Sequence, residues 1–166
     1  MNGLQALAFL EQHQPLPANL PEPVMEKLCD ALVQLRQEPV APERAVPLLL
    51  NCWDGSNEEL NNEGIIFTLK SYPKTWVAPH VATGLKLEDA ERRIWFGEVA
   101  CAFPDTEYLS GLTNMLGAKD TIERFVAACA LERIGGPEAR QLAKDRFDLE
   151  TDPEIQDVLE AILAEN

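Results

Sequence analysis

Five carboxylates and four aromatic or imidazole side chains are the residues with most chemical potential in this 166-residue chain. Asp54, Asp105, Glu107, Asp145 and Asp148 fall in or near the ends of short amphipathic segments that also carry Trp53, Trp76, His80 and Tyr108. Carboxylates gathered along one wall make a negative surface that attracts a basic protein and speeds its encounter. A tryptophan beside them can act as an interface anchor. The competing reading of each residue is ordinary: exposed charges are usually solvated, and aromatics at helical spacing usually pack.

Catalytic patterns are scarce by comparison. The chain has no Gly-rich phosphate loop, no Ser nucleophile elbow and no H-E-x-x-H sequence. Two histidines, His13 and His80, are too few for a His-rich metal centre. Cys29, Cys52, Cys101 and Cys129 lack the paired spacing of a zinc site and read as reduced core thiols. Glu98, set among Trp95, Val99, Ala100 and Cys101, would need a partner such as Arg93 or Arg124 if partly buried. A raised-pKa general acid there is the weaker alternative. The expectation is an unmetallated, non-catalytic chain without a cofactor.

Charge narrows the partners. Fourteen Lys and Arg stand against 28 Asp and Glu, a net charge of −14. Residues 1–83 hold 10 acids and 5 bases, and 84–166 hold 18 acids and 9 bases. Nucleic acid is disfavoured, because phosphate binding draws its affinity from Lys and Arg. No apolar run approaches the ~20 residues of a membrane span, and the opening MNGLQALAFL lacks the basic start of a secretory signal. Cytoplasmic residence is the default expectation.

The elements that must position these groups are helices. Leu4, Leu7, Ala8 and Leu10 mark a first helix, ended by the proline-rich stretch from Pro15 to Pro23. A second runs from about Pro23 to Gln37 on Val24, Leu28, Ala31, Leu32 and Leu35, and a third opens at Pro42 with Val46, Leu49, Leu50 and Trp53. From there the chain repeats. Asn62 to Pro73 overlays Arg93 to Pro104 at a separation of 31 residues, matching Leu69 with Ala100 and Tyr72 with Phe103. The same step brings in Leu131 and then Ile162, while an irregular copy at Leu28 to Leu35 sits 37 residues before the Leu69 copy. Each copy has a longer helix, a break, and a second helix: Pro73 to Val81, Asp105 to Leu116, Pro137 to Phe147. Such hairpins hide their apolar stripes only by stacking. On the second helices Val77 and Val81 are the natural core pair, which leaves Trp76 and His80 outside. Arg93 and Arg124 are equivalent and predict a ladder in which each arginine meets an acid or carbonyl of its neighbour.

The segment from Arg124 to Phe147 with its Ile134-Gly135-Gly136 break, followed by Asp152-Pro153-Glu154 opening the next helix, resembles the HEAT-like repeats also found in phycobilisome lyases. The likeness is closest over 119–165 and looser over 62–118. It implies an all-α fold, an α-α superhelix or HEAT-like solenoid of about four to five helical hairpins, with second helices lining a concave face. The chain then reads as one repeat domain: irregular repeats over 1–61, regular ones over 62–166, and a capping helix over 152–165. In that helix Ile155, Leu159, Ile162 and Leu163 face inward, with Glu154, Asp157 and Glu160 outside. HEAT-like hydroxylases carry His-Glu pairs, which this chain lacks, and HEAT-like DNA glycosylases need a cationic groove. The expected function is an acidic module that captures a basic protein with Asp54, Trp76, His80, Asp105, Glu107, Tyr108, Asp145 and Asp148. One version is an immunity protein neutralising a toxin. The alternatives are a lyase-like protein handling a chromophore between Trp76, His80 and Tyr108, and a structural adaptor in a larger assembly.

Overall fold

The structure, a computed structural model, describes residues 1–14, 21–52 and 59–164. Within them the chain is all-helical, with no strand. The elements are α1 (Gly3–Gln12), α2 (Glu22–Gln37), α3 (Pro42–Leu50), α4 (Glu59–Leu69), α5 (Lys74–Gly84), α6 (Ala90–Ala102), a 3-10 turn (Thr106–Tyr108), α7 (Leu109–Leu116), α8 (Thr121–Ile134), α9 (Gly136–Phe147) and α10 (Pro153–Ala164). Trp53 and Asp54 lie outside the described residues. Among those described, no helix is long and apolar enough to cross a membrane. The chain divides into two compact units, Met1–Val77 and Ala78–Asn166.

In the first unit α1 packs on α2 and α3, and both α2 and α3 pack on α4. Leu28, Ala31, Leu32 and Leu35 of α2 and Val46, Leu49 and Leu50 of α3 are buried as their spacing predicts. The stripe expected on α1 is rotated. Leu4 is 63% exposed and Ala8 is also exposed, while Ala6, Leu7, Phe9 and Leu10 are buried. The inward stripe is Gly3, Ala6, Leu7 and Leu10, at i, i+3, i+4 and i+7. Gly3 lies against Glu38, to whose carboxylate its N–H donates at 3.0 Å, and a capping box closes the first turn, the Asn2 side chain accepting from the Gln5 N–H at 2.9 Å and the Gln5 side chain from the Asn2 N–H. The box satisfies two backbone N–H groups at the helix start.

The 31-residue step is visible in the elements. Helices α4, α6 and α8 begin at 59, 90 and 121, and α10 begins at 153. The equivalent residues Leu69, Ala100, Leu131 and Ile162 are all buried. Asp89 and Asp120, also one step apart, cap α6 and α8 by accepting the backbone N–H of Arg92 and Glu123, and such a cap is worth about 1 kcal/mol. Between α8 and α9 the chain turns at Gly135 and Gly136, with φ of +63° and +82°, a conformation that costs side chains with a Cβ. On α10, Ile155, Leu159 and Ile162 are buried and Glu154, Asp157 and Glu160 exposed as expected, while Leu163 is only half-buried.

In the second unit α8 is central, packing against α6, α7, α9 and α10. Helix α6 comes close to it through Gly97, where an added Cβ would stand 2.5 Å from Val126 Cγ1 and 3.2 Å from Met115 Cε. Ala normally favours a helix over Gly by about 1 kcal/mol. Here overpacking opposes that gain. Gly97→Ala is expected to lower stability by roughly 1–2 kcal/mol, read as a drop in the urea midpoint with an unchanged m-value. A midpoint equal to wild type would show that α6 and α8 separate freely.

Candidate functional site

The charged residues of the second unit sort into an internal set and an external set. The internal set is the arginine ladder. Arg93 is bidentate to Glu123, at 2.5 and 3.0 Å, and donates to the carbonyls of Leu87 and Glu88 at 2.6 and 2.7 Å. Thirty-one residues later, Arg124 is bidentate to Glu150, at 2.9 and 3.2 Å, and donates to the carbonyls of Ala118 and Lys119 at 3.1 and 2.9 Å. The carbonyl pairs are themselves one step apart. Each guanidinium therefore closes the loop before its own helix and reaches an acid from a later element, as the equivalence of the two arginines predicts.

Glu150 is the more elaborate node. Its side chain is fully enclosed and also meets Arg146 at 3.2 Å. Its carboxylate accepts the backbone N–H groups of Thr151 and Asp152, and its carbonyl accepts Gln156 Nε2 at 2.6 Å. Burial pushes this carboxyl upward, but Arg124, the two backbone N–H groups and Arg146 outweigh it and hold the pKa at about 2. Arg93 and Arg124 thus spend their bidentate bonds on Glu123 and Glu150, the acids that sequence reasoning missed, and Glu98 stands half-buried on α6.

The external set contains four of the five carboxylates that the sequence singles out. Glu107, Asp145 and Asp148 are exposed and Asp105 is half-buried. The Asp105 carboxylate accepts the Glu107 N–H at 3.0 Å and starts the 3-10 turn. Asp145 accepts from Gln141 Nε2 at 2.7 Å. Two hollows of about 260 and 200 Å3 lie one step apart: the first is lined by Leu85, Lys86, Arg93 and Asn114, the second by Leu116, Gly117, Asp145 and Arg146. Asn114 and Asp145 occupy equivalent positions in them.

The aromatic half of the site separates differently. On α5, Val77 and Val81 are fully buried while Trp76, 42% exposed, and His80 face solvent. Tyr108 is a correction: it is fully buried, so it presents no surface to a partner and no wall to a chromophore pocket. The reason is helical period. Tyr108, Leu112 and Met115 form one inward stripe, each with zero exposure. Burial first, then the Asp105 and Glu107 carboxylates, raise the phenol pKa well above its usual value. The cysteine expectation is also corrected: Cys52 is buried, Cys101 and Cys129 are half-buried, and Cys29 is exposed, because Cys29 falls on the solvent side of the Leu28/Ala31/Leu32/Leu35 stripe. Among the described residues, no group of three or more His, Cys, Asp or Glu is placed to hold a metal ion. A scan against protein-family models finds no match to this chain, and a search of curated proteins finds none either.

Two predictions follow from these environments. Glu150 has a depressed folded pKa, so its stabilisation is complete above the unfolded value near 4.5 and is lost as pH falls toward about 2. The shift corresponds to about 3 kcal/mol. Chemical denaturation of wild type and Glu150→Gln should show a stability gap at pH 7 that narrows steadily below pH ~4.5; a pH-independent gap would contradict the ionic role. The Tyr108 hydroxyl has no hydrogen-bond partner among the described residues. Tyr108→Phe should hold or raise the thermal midpoint, because removing an unpaired buried hydroxyl relieves a desolvation cost of about 1 kcal/mol.

Proposed function

We propose that this chain is a non-catalytic, acidic protein-binding module that captures a basic protein. Its repeats are read as HEAT-like, stacked as an α-α superhelix, and its setting as cytoplasmic. The observation that carries this reading is the sorting of charge in the second unit. Three arginines, Arg93, Arg124 and Arg146, are turned onto Glu123 and Glu150. Glu107, Asp145, Asp148, Glu154, Asp157 and Glu160 stay open to solvent. Inward guanidinium groups hold the helices together, and outward carboxylates supply a negative field that steers a cationic partner at long range.

The biological setting this suits is neutralisation of a basic toxin such as a nuclease, with carboxylates standing where substrate phosphates would otherwise bind. Occlusion of that kind needs no catalytic group. A structural adaptor for a basic partner uses the same surface and differs only in what is captured.

Affinity capture on the immobilised chain, with bound proteins identified by mass spectrometry, tests the reading when wild type is run beside Glu107→Lys/Asp145→Lys. Wild type is expected to retain a basic protein at low salt. The double variant should bind it about tenfold more weakly, and the difference should shrink as salt rises. Retention of the same partner at equal affinity by both, or a captured partner that is acidic, would overturn the proposal.

A further inference from the structure

The α6–α8 seam carries two thiols, Cys101 on α6 and Cys129 on α8. Pairing advances in one direction along both: Arg93 meets Glu123, and Gly97 lies against Val126. The next turn of α6 carries Cys101, whose Sγ is 3.9 Å from the Val126 carbonyl oxygen. In a helix that carbonyl is within reach of short side chains three and four residues onward. Cys129 is three residues onward. Both cysteines are half-buried. Cys129 acts electrostatically on Cys101, Arg133 acts on both, Glu98 acts on Cys101 and Glu132 on Cys129.

We infer that Cys101 and Cys129 form a thiol pair that a small disulfide oxidant of the glutathione class closes into an intramolecular bridge between α6 and α8. Burial pushes both thiols above their ordinary pKa, Cys101 to about 12, which makes Cys129 the first nucleophile. Its thiolate attacks one sulfur of the oxidant, breaking that S–S bond, forming a mixed disulfide and releasing one thiolate. The Cys101 thiolate then attacks the Cys129 sulfur and expels the second. Two protein protons end on two small thiols, the protein pair is oxidised by two electrons, and the oxidant is reduced by two. The two remaining cysteines stand apart from this chemistry. Cys52 is buried, its pKa is raised to about 12, and its Sγ accepts from Gln14 Nε2; Cys29 lies on α2 in the other unit.

The test uses the full chain carrying Cys29→Ser, so that the one exposed thiol does not react. It is incubated folded with oxidised glutathione at about pH 8.5, alkylated and mapped by peptide mass spectrometry. The expected result is a monomer with a Cys101–Cys129 linked peptide, a thermal midpoint higher by roughly 5 °C, and full reversal by a dithiol. Adding Cys101→Ser should stop the reaction at a Cys129 mixed disulfide. Both thiols recovered free, a bridge formed only in denaturant or only between molecules, or a bridge that lowers the midpoint would each overturn the inference.

Discussion

A guanidinium held by two carbonyls on one side and a carboxylate on the other is the interaction on which the second unit depends. Taking these ions out of water is costly, and single ion pairs in such settings often return little net stability. Their value lies in direction. Arg93 and Arg124 each fix the loop preceding their own helix and tie that helix to a later element. A purely apolar seam would let neighbouring helices slide by a turn at small cost, whereas a fork that matches only one carbonyl pair and one carboxylate does not. Breaking either half leaves a buried charge uncompensated, so the ladder behaves as a unit.

Much of this organisation is legible in the amino-acid order. The step of 31 residues sets the starts of α4, α6 and α8, the buried positions Leu69, Ala100, Leu131 and Ile162, and the equivalence of Arg93 with Arg124. Such features repeat because each module must bury the same face. The acids of the ladder do not obey the step. Glu123 reaches Arg93 from the first turn of α8, whereas Glu150 reaches Arg124 from the loop before α10. Glu154, the residue one step after Glu123, is exposed. Loop acids and helix acids converge on one role in space, and no fixed spacing reveals that.

The candidate site was legible in part for a similar reason. Spacing placed Val77 and Val81 inside and Trp76 and His80 outside, because a helix with two adjacent stripes can bury only one at its centre. Tyr108 shares its aromatic chemistry with the tryptophans, but its position ahead of Leu112 and Met115 makes it core. On α1, Leu4 and Leu7 fit one apolar stripe and Gly3, Ala6, Leu7 and Leu10 fit another, and the close approach of Gly3 to Glu38 goes with the second. Apolar pattern alone carries no record of that.

The regular step also constrains how such a chain can change length. One added or deleted residue inside α6 or α8 rotates everything beyond it by about 100° around the helix axis. That would carry an arginine away from its carbonyl pair and a buried leucine or alanine toward water in the same move. Insertions are cheap only in loops, or in whole modules of the full period. Indels elsewhere are punished at several positions simultaneously, so the fold keeps phase in the way a coding sequence keeps its reading frame.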